Sequence, residues 1–468
     1  MDTDRARRFW RKFYSELATY GIPPHHRPMC QQHVQRYIDA HEGLRLVRHG
    51  PRQVSAYLEK LGRSTACTEY TYAQVVRALE ILFRRLVKAP WADRFSWEDW
   101  LQRGRVIPAN HATVVRDRLG VVSEEATGQG LDPDTLTGAV ARAHALAPEL
   151  IERLVGAIRM RDYSIRTEEA YLSWFARFML FHDSLGPDSW EATHVRAFLE
   201  HLVLKRKVSA STQKQALNAL AFVFRHVLGR QFDLDTFARS RKPVRVPVVL
   251  SRDEVRRVLD AITATTYRLM ADLLYGCGLR LMEVVRLRVQ DVDFERHRIV
   301  IREAKGRKDR VVPLPRRLVE PLARQIEQVR ALHARDLDAG HGEVYLPEAL
   351  ARKYPQAPRE LRWQYLFPSA RLSHDPRSGR VRRHHLHENS LQKQIRRAAN
   401  ASGIVKRVTS HTFRHSFATH LLESGTDIRT VQELLGHADV NTTMIYTHVL
   451  DRPGVMVASP LDSLDPAG

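Results

Sequence analysis

Six residues in the last 190 positions have types and spacings suited to phosphodiester chemistry. Arg280 follows a glycine turn in Gly276-Cys-Gly-Leu-Arg280-Leu-Met-Glu283, with a carboxylate one helical turn on. Lys305 sits between two short β-branched runs. His411 and Arg414, in Ser410-His-Thr-Phe-Arg414-His415, share a helix face at i and i+3. His437 and Tyr446 close the series in LLGHADVNTTMIYTHV. Breaking a phosphodiester without a metal requires a nucleophile, cations on the non-bridging oxygens and a proton donor for the departing oxygen. Two arginines grip a phosphate bidentately, a lysine on a turn protonates the leaving group, and a tyrosine phenolate attacks. The His411/His415 pair lacks the acid that follows the first histidine in HExxH and has no third ligand, so no metal site is assigned.

The elements that must position these groups are readable from pattern. Ser251 and Glu254 form a capping box that opens a helix, placing the start of a C-terminal domain near 250. Residues 299–302 and 310–314 read as a hairpin, with Lys305 and Lys308 at or near its tip. A helix over 411–424 is led by Ser410 and stopped by Gly425; another runs from Asp427 to Gly436, and a third follows Asn441. Upstream, Val54-Ser-Ala-Tyr-Leu-Glu59 echoes Val195-Arg-Ala-Phe-Leu-Glu200, and Ala78-Leu-Glu-Ile-Leu-Phe-Arg84 echoes Ala219-Leu-Ala-Phe-Val-Phe-Arg225, both at an offset of 141. A duplicated helical unit follows.

Length and composition set the frame. The chain has 468 residues, with 74 Lys and Arg against 53 Asp and Glu, a net charge of +21. That excess argues against an acidic metabolic enzyme and for a polyanionic partner, nucleic acid. Residues 1–145 carry +6, leaving +15 for the rest. Three widely spaced cysteines support neither a disulfide framework nor a structural zinc. The charged N-terminus and the absence of a long apolar run give the expectation of a soluble, cytoplasmic protein without membrane association.

The order Arg280, Lys305, His411-x-x-Arg414, His437, Tyr446 resembles the tyrosine site-specific recombinases of the phage integrase family over roughly residues 146–460. The insertion before His411, with LPEALARKYPQAP at 346–358, WQYLFPS at 363–369 and DPRSGRVRRHH at 375–385, is similar to that of the integron integrases, as is RDYSIRTEEAY at 161–171. The resemblance implies a fold that is mainly α with a small antiparallel sheet. It implies Tyr446 as the nucleophile of a 3′-phosphotyrosyl bond, Arg280 and Arg414 on the phosphate, His411 and His437 in proton transfer, and Lys305 on the 5′-oxygen. Only family spacing favours Lys305 over Lys308. Glu283 is expected behind Arg280 or His411. Neither metal, ATP nor another cofactor is implied.

By the same resemblance, Trp363, Pro376, His384 and His385 contact bases extruded from folded single-stranded sites, and Arg382 and Arg383 grip nearby phosphates. Arg206, Lys207 and Lys214 are candidate phosphate contacts of a core-binding domain. The expected organisation is an N-terminal helical domain over 1–103, read as a duplicate of the core-binding domain; a connector, 104–145; a SAM-like core-binding domain, 146–240; a linker, 241–250; a catalytic domain, 251–460, with the insertion at about 335–390; and a tail, 461–468. The implied partners are DNA, as duplex and as folded single strand, and three further copies in a synaptic tetramer. The alternatives are a phage- or Xer-type recombinase on duplex sites and a type IB topoisomerase-like nicking enzyme.

Overall fold

The computed structural model describes residues 3–106, 138–230, 247–302, 309–346, 348–374 and 380–437, with Thr65, Asp162, Ser164 and Ser184 excepted. Lys305, Lys308, Pro376, Tyr446 and the expected helix after Asn441 lie outside them. The described residues fall into two compact units, one drawn from 1–107, 246–345 and 355–468, the other from 108–245 and 346–354. Among the described residues the fold is mainly helical, with two small antiparallel sheets.

The second unit is a helical bundle of α6 (Gly138–Leu146), α7 (Pro148–Arg159), α8 (Ile165–Phe181), α9 (Ala192–Leu204) and α10 (Ala210–His226). Apolar residues at helical spacing, among them Val195, Phe198, Leu199, Leu220 and Phe224, close its core.

The first unit opens with α1 (Thr3–Thr19), α2 (Arg27–Asp39), α3 (Pro51–Arg63), α4 (Glu69–Ile81) and α5 (Trp97–Arg103). These repeat part of the second unit at the offset seen in the sequence. Helix α3 begins and ends 141 residues before α9, and α4 starts 141 before α10. The N-caps correspond as well, Thr68 accepting from the Thr71 amide and Ser209 from the Thr212 amide. Val54 and Val195, Leu58 and Leu199, and Phe83 and Phe224 are buried at matching positions. The first unit's N-terminal helices have a core of their own, but one of its members is Ala370, from far down the chain. The insertion thus contributes a residue to the core of the N-terminal helices.

The rest of the first unit surrounds one large core, with a smaller cluster of Phe417, Ala418, Val431 and Leu435 beside it. Helices α11 (Arg252–Asp260), α12 (Thr265–Gly276) and α13 (Leu281–Arg286) lead into a meander of β1 (Val292–Asp293), β2 (Arg298–Ile301) and β3 (Arg310–Pro313). Ile299 pairs with Val312 and Ile301 with Arg310, so the expected hairpin is present with its strand ends within a residue or two. Helix α14 (Arg316–Asp338) precedes the hairpin β4 (Pro368–His374) and β5 (Val381–His385), followed by α15 (Glu388–Ala401), α16 (Ser410–Glu423) and α17 (Ile428–Leu435). The Ser251 and Glu254 capping box closes reciprocally. Helix α16 is capped one residue earlier than expected: Thr409, not Ser410, accepts from the Thr412 amide, and Ser410 is helical. Asp427 caps α17, and Gly436 ends it in the left-handed conformation at φ +62°.

Candidate active site

Arg280 is the N-cap of α13 and is reached through Gly278, whose φ of +61° turns the chain sharply out of α12. A Cβ on Gly278 would stand 2.3 Å from the Phe417 ring, so a larger residue would have to displace a core aromatic of α16. The glycine turn thus seats Arg280 against the helix that carries His411 and Arg414.

Glu283 holds the arginine. One carboxylate oxygen accepts from the Arg280 amide at 2.7 Å and the other from the Arg280 guanidinium at 2.8 Å. The same two oxygens take a bidentate pair from Arg310, at 2.9 and 2.7 Å. Burial would raise the Glu283 carboxyl, but hydrogen bonds and charge from Arg310 and Arg280 hold it down to about 2.

Arg310 was not singled out from the sequence. Its side chain is 8% exposed, and besides Glu283 it donates to the Leu434 carbonyl at 2.8 Å. A single residue beside the turn of the Lys305 hairpin therefore touches both the Glu283 carboxylate that holds Arg280 and the end of α17. The available signal was an arginine opening the otherwise apolar strand β3.

The turn ending α17 receives both candidate phosphate-binding arginines. Arg280 donates to the Gly436 carbonyl at 3.1 Å. Buried Arg414 donates to the carbonyls of Gly278, at 2.6 Å, and Leu435, and to Nε2 of His437 at 3.2 Å. Accepting from a guanidinium requires His437 to be neutral and to carry its proton on Nδ1. Burial, followed by the charges of Arg414 and Arg280, lowers the His437 pKa to about 4, in agreement. His411 lies on the exposed side of α16, and desolvation together with Arg414 and Arg280 lowers its pKa as well. His415, one turn on, is lowered to about 4 by burial, then by His411 and Arg414.

These shifts fix the sign of a pH effect on stability. Each is depressed in the fold, so the unfolded chain binds protons first: the histidines' contribution is complete above pH 6.5 and is lost as pH falls towards 4. Glu283 extends the loss from about 4.5 towards 2. The melting temperature is expected to fall on acidification from pH 7 to 4.5, and His415→Gln to flatten that fall. An equally steep fall in the variant, measured by calorimetry, would exclude His415 as a contributor.

Arg280, Glu283, His411, Arg414 and His437 thus come together around one turn. The DNA-binding candidates are dispersed. Arg206, Lys207 and Lys214 are exposed on the α9–α10 side of the second unit. Trp363 is half-buried, with the Arg362 guanidinium 6.0 Å from its ring centre, and Arg382 lies over Tyr345. Arg383, His384 and His385 are buried, contrary to the expected surface role. Arg383 makes a two-point ion pair with Asp336, also buried, and donates to the Ser369 carbonyl at 2.7 Å. In this conformation three of the five N–H donors of Arg383 are spent on Asp336 and Ser369.

Comparison with known proteins identifies the family. Residues 248–452 match the phage integrase family, and residues 150–234 match the phage integrase N-terminal SAM-like domain. An integrase/recombinase of Escherichia coli is 47% identical over 319 residues, 68% of this chain and 94% of that protein. Tyrosine recombinase XerA of Thermococcus onnurineus is 36% identical, covering 64% of this chain and 91% of its own. A crystal structure of XerA recombinase is 28% identical over 65% of this chain and 94% of that one, with a TM-score of 0.32. The chain belongs to the phage integrase family of tyrosine recombinases, enzymes of site-specific recombination that cut and rejoin DNA strands.

Proposed function

We propose that this recombinase is an integron-type integrase, which integrates and excises gene cassettes and acts on folded single-stranded attachment sites in the cytoplasm. Tyr446 attacks the scissile phosphate and forms a 3′-phosphotyrosyl bond. Arg280 and Arg414 hold the non-bridging oxygens as charge builds, His411 and His437 serve proton transfer, and Lys305 protonates the leaving 5′-oxygen. A 5′-hydroxyl from a partner strand reverses the attack, so bond energy is conserved without ATP or a metal. Residues 146–240 and 251–460 both bind the DNA, Arg206, Lys207 and Lys214 touching phosphates, and four copies form the synapse.

The observation that carries the integron reading is the insertion between the β1–β3 sheet and His411, which places Trp363 half-exposed beside Arg362. An aromatic face of this kind stacks an extruded base with little regard for its identity. Trp363→Ala is expected to weaken binding to a hairpin with extrahelical bases about tenfold or more, and to leave a fully paired duplex site almost unaffected. Equal losses on both would favour the Xer-type alternative, for which the XerA relatives speak.

A further inference from the structure

The two copies of the repeated module differ where the second is most basic. Between and at the start of α9 and α10, the second copy carries Lys205, Arg206, Lys207 and Lys214, all exposed. At the positions 141 earlier, the first copy has Ser64, Thr65, Ala66 and Ala73. Four positive charges in one copy correspond to none in the other. Phosphate contact depends on such charge, so these four positions cannot serve DNA in both copies.

Next to those positions, Gly62, Cys67 and Tyr72 of the first copy are buried against the insertion. Gly62, near the end of α3, lies against β4 so closely that a Cβ there would stand 2.4 Å from the Ala370 carbonyl oxygen. Ala370 enters the core of the N-terminal helices. Arg371, 6% exposed, crosses into the first copy, where it donates to the carbonyls of Cys67 and Gly104 and lies 5.8 Å from the centre of the Tyr72 ring. Ser369 donates to the Arg103 carbonyl at 2.9 Å, and Ser390 to that of Gln102 at 3.1 Å. Two peripheral ion pairs, Arg335 with Glu59 and Arg397 with Glu98, border the contact. Buried donors satisfied only by the other element make such a contact specific, because separation would strand them.

We infer that the first copy of the module has exchanged DNA contact for an intrachain role: it clamps the β4–β5 hairpin of the insertion, with Arg371 as the positioning residue. The E. coli relative aligns over 94% of its length with only 68% of this chain, and the SAM-like match begins at residue 150, so the clamp is an addition to the shared recombinase. Its effect is to fix the hairpin, and with it the base-reading insertion, against the catalytic core. The exchange of roles rests on the reading of Arg206, Lys207 and Lys214 as phosphate contacts; the clamp does not.

Two variants of the full-length protein attack the clamp from opposite sides. Arg371→Ala removes its donors, and Gly62→Ala wedges a methyl group against the Ala370 carbonyl while favouring the helix. In both, amide hydrogen exchange across 368–373 and 381–385 is expected to quicken at least tenfold, with exchange in α12 and α16 unchanged. Unaltered exchange in β4 and β5 in the Gly62→Ala protein would overturn the clamp even if Arg371→Ala failed to fold. The exchange of roles is read from the salt dependence of DNA affinity. Replacing Arg206, Lys207 and Lys214 by Gln should make the slope shallower by about 0.9 for each phosphate that is no longer neutralised, whereas replacing Arg7, Arg8, Arg11 and Lys12 should leave it unchanged. A shallower slope from the second set would show that the first copy binds DNA and would overturn the exchange. An unchanged slope from the first set would overturn the phosphate-contact reading and leave the hydrogen-exchange result standing.

Discussion

Tyr446→Phe is expected to form no covalent protein–DNA adduct with a nicked suicide substrate carrying a folded attachment site, while the unaltered protein accumulates one. The phenolic oxygen is the atom that replaces the 5′-oxygen on phosphorus, and phenylalanine keeps the ring while deleting that atom. Loss is therefore complete rather than graded: nucleophilic catalysis has no path when the attacking atom is absent. The rest of the machinery does not depend on the hydroxyl. Arg280 is held by Glu283, and Arg414 by the Gly278 and Leu435 carbonyls, so DNA affinity should change little. Retained binding with no adduct also separates an active recombinase from a protein that only binds DNA. An adduct in the Tyr446→Phe protein equal to that of the parent would remove Tyr446 from the nucleophile's role.

Much of the site was legible before the structure because its chemistry is concentrated in short, ordered blocks. The Gly-Cys-Gly turn before Arg280, the cap at Asp427 and the left-handed stop at Gly436 are local devices, each decided by two or three neighbouring residues. The repeat was legible for the same reason, since matching helices keep matching buried positions such as Leu58 and Leu199. What the sequence concealed depends on contacts between distant segments. Arg383 looked like one cation in a basic run, but its Asp336 partner lies 47 residues away and both are buried. Arg371 gave no signal either, because its acceptors are the backbone carbonyls of residues more than 260 positions upstream, and a carbonyl has no residue identity to read. Arg310 fell between these cases: its type was visible, but its bridge from Glu283 to Leu434 needed the fold.

Arg414→Ala is expected to slow strand cleavage on saturating DNA by about 10² to 10³, the usual cost of deleting one preorganised donor to a developing charge. The geometry adds a second consequence. Arg414 is 3% exposed and ties three elements: the turn before Arg280 through Gly278, the end of α17 through Leu435, and the imidazole of His437. Alanine leaves the buried Gly278 and Leu435 carbonyls without that donor, at roughly 1 to 3 kcal/mol each at most. It also removes one of the charges that hold His437 neutral, so the His437 pKa should rise from its depressed value. Arg414→Lys separates the two consequences. Lysine keeps a positive charge near phosphorus and His437 but cannot span two carbonyls and an imidazole at once. Cleavage by the lysine variant should fall less than that by the alanine variant, and its His437 titration, followed by NMR, should stay close to that of the parent. If both variants cleaved at the parental rate once bound, Arg414 would be a structural brace beneath the site, and the charge on the phosphate would have to be met by Arg280 and the histidines alone.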